Sequence, residues 1–184
     1  GPKYDSQTDA GSRIVFPYLR GAGVTKLDGL VISHNDLDHS GGMQSLLAML
    51  PLTWLASSLP TEAVGLVGQR QLRCHAGQTW KWDGVRFDML YPSLASYQDE
   101  AIEDNNRSCV LKISSLAGTL LLTGDIEKAD EHALLSSLPA ALASDVLVVP
   151  HHGSRTSSSQ AFIDAVAPTV AVFTSGYLNR YRHP

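Results

Sequence analysis

Four side chains of the kinds that bind metal ions lie within six consecutive residues, directly after a short apolar run. They are His34, Asp36, Asp38 and His39. Two imidazoles and two carboxylates crowded after a strand destabilise a fold unless a cation neutralises the acids and engages the rings. The alternative is a polar loop that contains histidine by chance. The spacing favours a metal site.

Two further apolar runs end in residues of the same kinds. Residues 120–122 precede Asp125, and residues 146–149 precede His151 and His152. Several strands that each end in a possible ligand can gather ligands from distant sequence at one edge of a sheet. For Asp125 the alternative is a structural role, because aspartate is a good N-cap for the helix predicted next. Adjacent histidines point in different directions, so we expect only one of this pair to bind a metal.

The elements that must position these residues alternate between strands and helices. Strands are predicted at residues 27–32, 53–56, within 71–91, 108–113, 119–123, 145–149 and 169–174. Helices are predicted at residues 12–19, 42–50, 61–67, 126–138 and 159–167. The pair Asp83-Gly84 predicts a hairpin turn within residues 71–91. This alternation favours a layered α/β domain.

Composition and charge place the chain among ordinary globular proteins. Its 184 residues suffice for one domain with a substantial core, and 43% of them are hydrophobic. The formal net charge of −4 counts against a surface for non-specific DNA binding, which is usually basic. Bound divalent cations would offset part of that charge locally.

Membrane and cysteine signals are weak. No apolar run approaches the ~20 residues of a membrane-spanning helix, and the polar N-terminus does not have the pattern of a signal peptide.

Cys74 and Cys109 match no zinc or redox spacing, so we expect two buried strand residues.

The ordered set of motifs resembles the metallo-β-lactamase superfamily. Its first motif, His-x-His-x-Asp-His, matches residues 34–39, its bridging aspartate matches Asp125, and its last ligand histidine matches His151 or His152. A closer resemblance, over nearly the whole chain, is to the C-terminal lactamase-like domain of the ComEC family of competence channels. The segments that carry it are Pro17–Arg20, Ser33–Gly42, Asn105–Leu111, His151–Ser154 and Asn179–Pro184.

The resemblance implies one domain, residues 1–184, with a four-layer αββα sandwich that is truncated at both termini. The superfamily opens with strands that end in an Asp-Thr-Gly-like turn before the helix at Ser12, and this chain begins close to that point. It also ends before the expected last helix. We therefore expect a fragment of a larger membrane protein.

The resemblance also implies two divalent metal ions. One would be held by His34 and Asp36 with Asn105 or Asn106, the other by Asp38, His39 and His151 or His152, with Asp125 bridging. Asp36 stands where most of the superfamily has histidine, and the third histidine of the superfamily is missing. Because oxygen ligands favour harder ions over Zn²⁺, we expect Mn²⁺ as the working metal and Zn²⁺ as a less productive one.

The implied activity is that of a phosphodiesterase, a nuclease that degrades the DNA strand that is not transported. A metal-activated hydroxide would attack phosphorus in line, with Asp38 orienting the water and Asp125 bridging the metals. His183 would contact phosphate or protonate the leaving oxygen, unless it belongs to a disordered chain end. The candidate phosphate contacts are Arg107, Arg155 and Arg180.

Partners and location follow from the same resemblance. We expect single-stranded DNA and the remaining channel domains of the same polypeptide as partners, at the periplasmic face of the bacterial inner membrane, with no membrane insertion by this segment. Three alternatives stay open: a small-molecule hydrolase of the same fold, a non-catalytic module that guides DNA without metal, and a purely structural domain. The missing histidine and the acidic charge keep the second of these open.

Overall fold

The structure is a computed structural model that describes residues 1–60, 70–176 and 183. The chain forms two compact units, Gly1–Arg73 and Cys74–Pro184. Each unit has its own sheet and its own apolar core. Each also carries one set of the candidate ligands.

The first unit is built on a parallel three-stranded sheet of order β1-β2-β3. Its elements are a π-helical turn (Gly11–Val15), α1 (Phe16–Gly21), β1 (Leu27–Ile32), α2 (Leu37–Ser40), α3 (Met43–Met49), β2 (Leu52–Ser57) and β3 (Arg70–Arg73). Its core comprises Ile32, Met43, Leu52, Leu55 and Leu59. Because β1 and β2 run in parallel, the loop after β1 emerges beside the end of β2, and this loop holds the first ligand motif.

Two glycines let the chain segments next to this motif approach closely. Gly42 follows the motif, and a Cβ atom on it would collide with the backbone of Gly11. Asp9 secures the same region, because its buried carboxylate accepts hydrogen bonds from the Ser45 hydroxyl and from the Ser12 backbone N–H (2.8 Å). The N-terminal segment is thereby fastened to α3, and the loop between them is held in place.

The second unit contains a six-stranded mixed sheet of order β4-β5-β6-β7-β8-β9. Its strands are β4 (Thr79–Trp82), β5 (Val85–Tyr91), β6 (Val110–Ser115), β7 (Gly118–Leu122), β8 (Val146–Val148) and β9 (Val170–Val172), and its α-helices are α4 (Lys128–Ser137) and α5 (Gln160–Val166). Strands β4 to β7 pair antiparallel, and β7, β8 and β9 pair in parallel. The core includes Leu121, Leu134, Leu147 and Phe162. The second ligand set follows β7 and β8.

The hairpin predicted at Asp83-Gly84 is confirmed. Both residues have positive φ, 47° and 84°, as a tight two-residue turn requires. Trp80 and Phe87 face each other across the two strands with stacked rings 5.0 Å apart. Such a cross-strand aromatic pair fixes the register of the strands.

The other elements predicted within the described residues are confirmed, and several have shorter bounds. The helix predicted from residue 126 begins at Lys128 and ends at Ser137, and the strand predicted at residues 169–174 covers only Val170–Val172. The helix predicted at residues 61–67 lies outside the described residues. Truncation at both termini stays a prediction.

The prediction for the two cysteines was right about burial and wrong about strands. Cys74 and Cys109 are buried, but they lie just after β3 and just before β6. They form a disulfide bond with a sequence separation of 35 residues and a Cα–Cα distance of 6.0 Å. Fixed spacing motifs do not reveal such a pairing, because it depends on where the fold brings the two chain segments together.

Candidate metal centre

In the first unit, a short helix presents the ligand motif. Asp36 lies at the N-cap of α2, and its carbonyl accepts hydrogen bonds from the backbone N–H groups of His39 (2.9 Å) and Ser40 (2.8 Å). This turn places Asp38 and His39 on successive helical positions beside His34. His34 is fully buried, whereas the side chain of Asp38 is 52% exposed.

The imidazoles and carboxylates of this motif approach one another closely. The Nε2 atom of His34 lies 3.7 Å from Oδ2 of Asp36, and Nε2 of His39 lies 3.8 Å from Oδ2 of Asp38. The centroids of the two imidazole rings are 4.1 Å apart. Asp38 and His39 each offer a ligand atom within 4.8 Å of the other. The first unit therefore presents two imidazole–carboxylate pairs.

In the second unit, Asp125 lies between the two histidines of the next motif. Asp125 is buried, and its Oδ2 atom is 3.4 Å from Nε2 of His152 and 3.9 Å from Nε2 of His151. The backbone N–H of Asp125 donates to the Ser108 hydroxyl (2.9 Å), and the backbone N–H of His151 donates to the Gly124 carbonyl (3.1 Å). The first bond joins the end of β7 to the segment before β6, and the second joins it to the loop that carries both histidines.

The four histidines of the two ligand motifs follow one pattern. Each has Nδ1 in contact with a hydroxyl group, Ser33 for His34 and His39, Thr156 for His151 and Thr174 for His152. Each Nε2 lies 3.4–3.9 Å from a carboxylate oxygen. That separation is too long for a strong hydrogen bond, but it fits two atoms that each lie about 2.0–2.2 Å from a shared metal ion. The donor set thus fits divalent metal binding.

Strained backbone supports a functional role for the second pair of histidines. His151 and His152 both have left-handed conformations, with φ of 47° and 54°. Each such residue other than glycine costs roughly 1–2 kcal/mol, and strain of this kind concentrates at functional sites. No sequence signal predicted it.

The strain can be measured with a pair of variants at one position. His152→Gly and His152→Ala both remove the imidazole, but only glycine adopts φ of 54° without penalty. We expect the glycine variant of the metal-free protein to have a free energy of unfolding about 1 kcal/mol higher than the alanine variant. Urea denaturation measures the difference. The control is His132, exposed within α4, where glycine should instead be about 1 kcal/mol less stable than alanine. Equal stabilities at residue 152 would contradict the assignment.

The structural alternative for Asp125, a helix N-cap, does not hold. Glu127 caps α4, and its side chain forms a reciprocal capping box with Asp130. Oε1 of Glu127 also lies 3.4 Å from Nδ1 of His151. The N-cap role that was the alternative for Asp125 therefore belongs to Glu127.

The first turn of α4 forms hydrogen bonds with two neighbouring loops, the one before β6 and the one before α5. Glu131 is fully buried and accepts hydrogen bonds from the backbone N–H groups of Ser158 and Ser159. Asp130 accepts from the Tyr91 hydroxyl and from Nδ2 of Asn106, both at 2.9 Å. Burial raises the pKa of Asp130, and burial together with the Asp130 carboxylate raises the pKa of Tyr91. This turn therefore holds the Asn105–Arg107 segment and the segment that follows the two histidines.

The two asparagines differ in their surroundings. The side-chain amide of Asn106 is bonded to Asp130, whereas Oδ1 of Asn105 is buried and has no hydrogen-bond partner among the described residues. A buried carbonyl oxygen without a partner is costly, and a metal ion would satisfy it. This favours Asn105 over Asn106 as the ligand.

The residues expected to contact phosphate have different environments. Arg107 donates hydrogen bonds to the Ser96 and Asp99 carbonyls, so part of its guanidinium is already engaged within its own loop. Arg155 is exposed, and the ring of His183 lies 6.3 Å from that of His151. Arg180 lies outside the described residues. Their contacts with phosphate stay predictions.

The comparisons with solved structures identify the fold. The metallo-β-lactamase fold protein YhfI from Bacillus subtilis superimposes with a TM-score of 0.51 and 13% sequence identity, over 86% of this chain and 71% of that one. The chain therefore has an α/β metallo-β-lactamase-like fold. No protein-family model matches the sequence.

Proteins with similar sequences identify a narrower group of relatives. Competence protein ComA of Neisseria gonorrhoeae is 41% identical over 182 residues, which are 98% of this chain and 25% of that protein. ComE operon protein 3 of Bacillus subtilis is 29% identical over 182 residues, 95% of this chain and 23% of that protein. The chain is thus a homologue, over nearly its whole length, of one segment of ComEC-like competence proteins, and the resemblance is confirmed.

The chain spans about a quarter of the length of these relatives. Within residues 1–60, 70–176 and 183, no helix is long and apolar enough to cross a membrane.

Proposed function

We propose that residues 1–184 form one metal-dependent nuclease domain of a competence DNA-uptake channel, which hydrolyses the DNA strand that is not transported. The observation that carries the proposal is the presence of two imidazole–carboxylate sets, each placed directly after a strand, in a homologue of competence proteins. One set surrounds Asp38 and His39, and the other surrounds Asp125 and His152.

The residue roles extend those expected from the motifs. His34 and Asp36 with Asn105 would hold one ion, Asp38 and His39 with His152 the other, and Asp125 would bridge. The choice of His152 over His151 is supported by its shorter Nε2 distance to Asp125, 3.4 Å against 3.9 Å. Assigning both sets to one centre rests on the order of the motifs in the sequence.

The bound metals would lower the pKa of the attacking water and supply positive charge to the phosphoryl oxygens. The carboxylate of Asp38, which is exposed, would orient that water. Arg155, also exposed, and Arg180 would contact substrate phosphates, and His183 would contact phosphate or give a proton to the leaving oxygen. Asn105, Asp36 and the other carboxylates make the ligand set rich in oxygen, which supports Mn²⁺ over Zn²⁺.

The proposed location is the periplasmic face of the inner membrane, with single-stranded DNA and the other channel domains as partners. The disulfide between Cys74 and Cys109 supports it independently of the resemblance. Structural disulfides persist in oxidising compartments such as the bacterial periplasm and are rare in the cytosol.

The function is tested by metal titration of the metal-stripped chain with labelled single-stranded DNA. We expect cleavage to appear with Mn²⁺, to be weaker with Mg²⁺, and to be weakest with Zn²⁺, because the oxygen-rich ligand set suits harder ions. The electrophoretic pattern of products gives the rate for each ion. Support of cleavage by Zn²⁺ alone would contradict the metal assignment.

A folded chain that cleaves no DNA with any of these ions would overturn the nuclease. In that case a gel-shift assay on the same sample separates a module that guides DNA from a domain without DNA affinity. A panel of lactam, thioester and phosphodiester substrates identifies a small-molecule hydrolase.

A further inference from the structure

Ser33 lies at the start of the first ligand motif, and neither the metal site nor the proposed function assigns it a role. It is the first residue after β1, and its hydroxyl oxygen is 3.1 Å from Nδ1 of His34 and 3.0 Å from Nδ1 of His39. One hydroxyl oxygen is thus within hydrogen-bond distance of two neighbouring imidazoles. In the second unit the two histidines contact separate hydroxyl groups, those of Thr156 and Thr174.

The hydrogen-bonding capacity of a hydroxyl permits two arrangements. If Ser33 donates to one Nδ1 and accepts from the other, the first ring carries its proton on Nε2 and cannot bind a metal there. If Ser33 accepts from both, each ring carries its proton on Nδ1 and each Nε2 offers a lone pair. Only the second arrangement lets both rings bind metal through the atoms that face Asp36 and Asp38.

We propose that Ser33 is a positioning residue that accepts a hydrogen bond from both imidazoles and so fixes His34 and His39 in the tautomer that binds metal through Nε2. Ser33 is half-buried, so water can accept its own hydroxyl hydrogen. The effect of Ser33 on metal affinity rests on the proposed metal-binding function. The tautomers of His34 and His39 do not, because they can be measured in the metal-free chain.

The backbone of Ser33 is itself held in place. The Ser58 hydroxyl, just beyond the end of β2, donates to the Ser33 carbonyl (2.8 Å). Strands β1 and β2 are in parallel register up to the pair Ile32 and Ser57. The oxygen that contacts the two rings is therefore attached to a fixed point of the sheet, as orientation of a ligand requires.

Three variants test the role through metal affinity. Ser33→Ala removes the acceptor, and Ser33→Thr keeps a hydroxyl on the same Cβ. Ser57→Ala removes a neighbouring buried hydroxyl that has no hydrogen-bond partner within the part of the chain that the structure describes. Mn²⁺ affinity is measured from the electron paramagnetic resonance signal of the free ion. We expect a loss of about 10–100-fold for Ser33→Ala, with Ser33→Thr and Ser57→Ala close to the unmodified chain.

The tautomers are read from the ring ¹⁵N chemical shifts of the metal-free chain. In the unmodified chain and in Ser33→Thr, both His34 and His39 should carry the proton on Nδ1, and in Ser33→Ala this preference should be lost. Unchanged tautomers in Ser33→Ala, or an Nε2-protonated ring in the unmodified chain, would overturn the proposal. If the unmodified chain binds no Mn²⁺, the metal function fails, but the shifts still decide the role of Ser33.

Discussion

Asp38→Ala is expected to abolish metal-dependent DNA cleavage while leaving the fold intact. A lost ligand removes several kcal/mol of transition-state stabilisation, and about 4 kcal/mol corresponds to a rate lower by a factor of about 10³. The side chain of Asp38 is 52% exposed, so the free energy of unfolding of the metal-free chain should change by no more than about 0.5 kcal/mol. Initial rates of DNA cleavage with saturating Mn²⁺ measure the first effect, and urea denaturation measures the second.

His39→Ala should give the same loss of activity, because His39 and Asp38 are proposed to bind the same metal ion. The matched control is Asp28→Ala, because Asp28 is another exposed carboxylate of the same unit, at 66% exposure, paired with Lys26 at 3.1 Å. Asp28 belongs to β1 and lies outside the motif. We expect the control to retain full activity. Full activity in Asp38→Ala as well would show that this carboxylate is not a ligand.

Loss of the Cys74–Cys109 disulfide is expected to produce the largest change in stability. The bond constrains a sequence separation of 35 residues, and the loop-closure entropy of the unfolded chain then corresponds to about 3–4 kcal/mol. For a chain of 184 residues this lowers the melting temperature by about 6–16 °C. Urea denaturation with and without reductant measures the free energy of unfolding.

The double variant Cys74→Ala/Cys109→Ala controls for other effects of the reductant. It should be as unstable as the reduced chain and should not respond to reductant. Activity should fall as well, because Cys109 adjoins Ser108, whose hydroxyl accepts the hydrogen bond from the backbone of Asp125. An unmodified chain whose transition does not move on reduction would show that the bond contributes nothing to stability.

The elements were largely predictable because their signals are local. Alternating apolar residues around Asp83-Gly84 predicted the hairpin, and apolar residues at helical spacing predicted α3. The ligand motifs could be read because their residues follow strands that each carry a clear apolar run. Ranking of Asn105 over Asn106 required the structure, since both are amides and only their burial and bonding differ.

Other features depend on contacts between distant parts of the chain or on backbone conformation. The disulfide joins segments 35 residues apart, and the sequence could not show that they meet. Asp125 and Glu127 are both acids before one helix, and only the capping box with Asp130 assigns the cap to Glu127. The left-handed conformations of His151 and His152 could not be predicted from residue type, because positive φ is uncommon even for histidine, which adopts it more often than most residues do.

The hydrogen bonds of Glu131 oppose opening of the loop that follows the two histidines. Its buried carboxylate belongs to α4, and its partners, the amides of Ser158 and Ser159, lie at the start of α5. Opening of this loop would leave a carboxylate in the apolar interior without its donors, which is costly. The loop is thereby coupled to the cooperative unfolding of the core, so its amide hydrogens should exchange with solvent as slowly as those of the helices on either side.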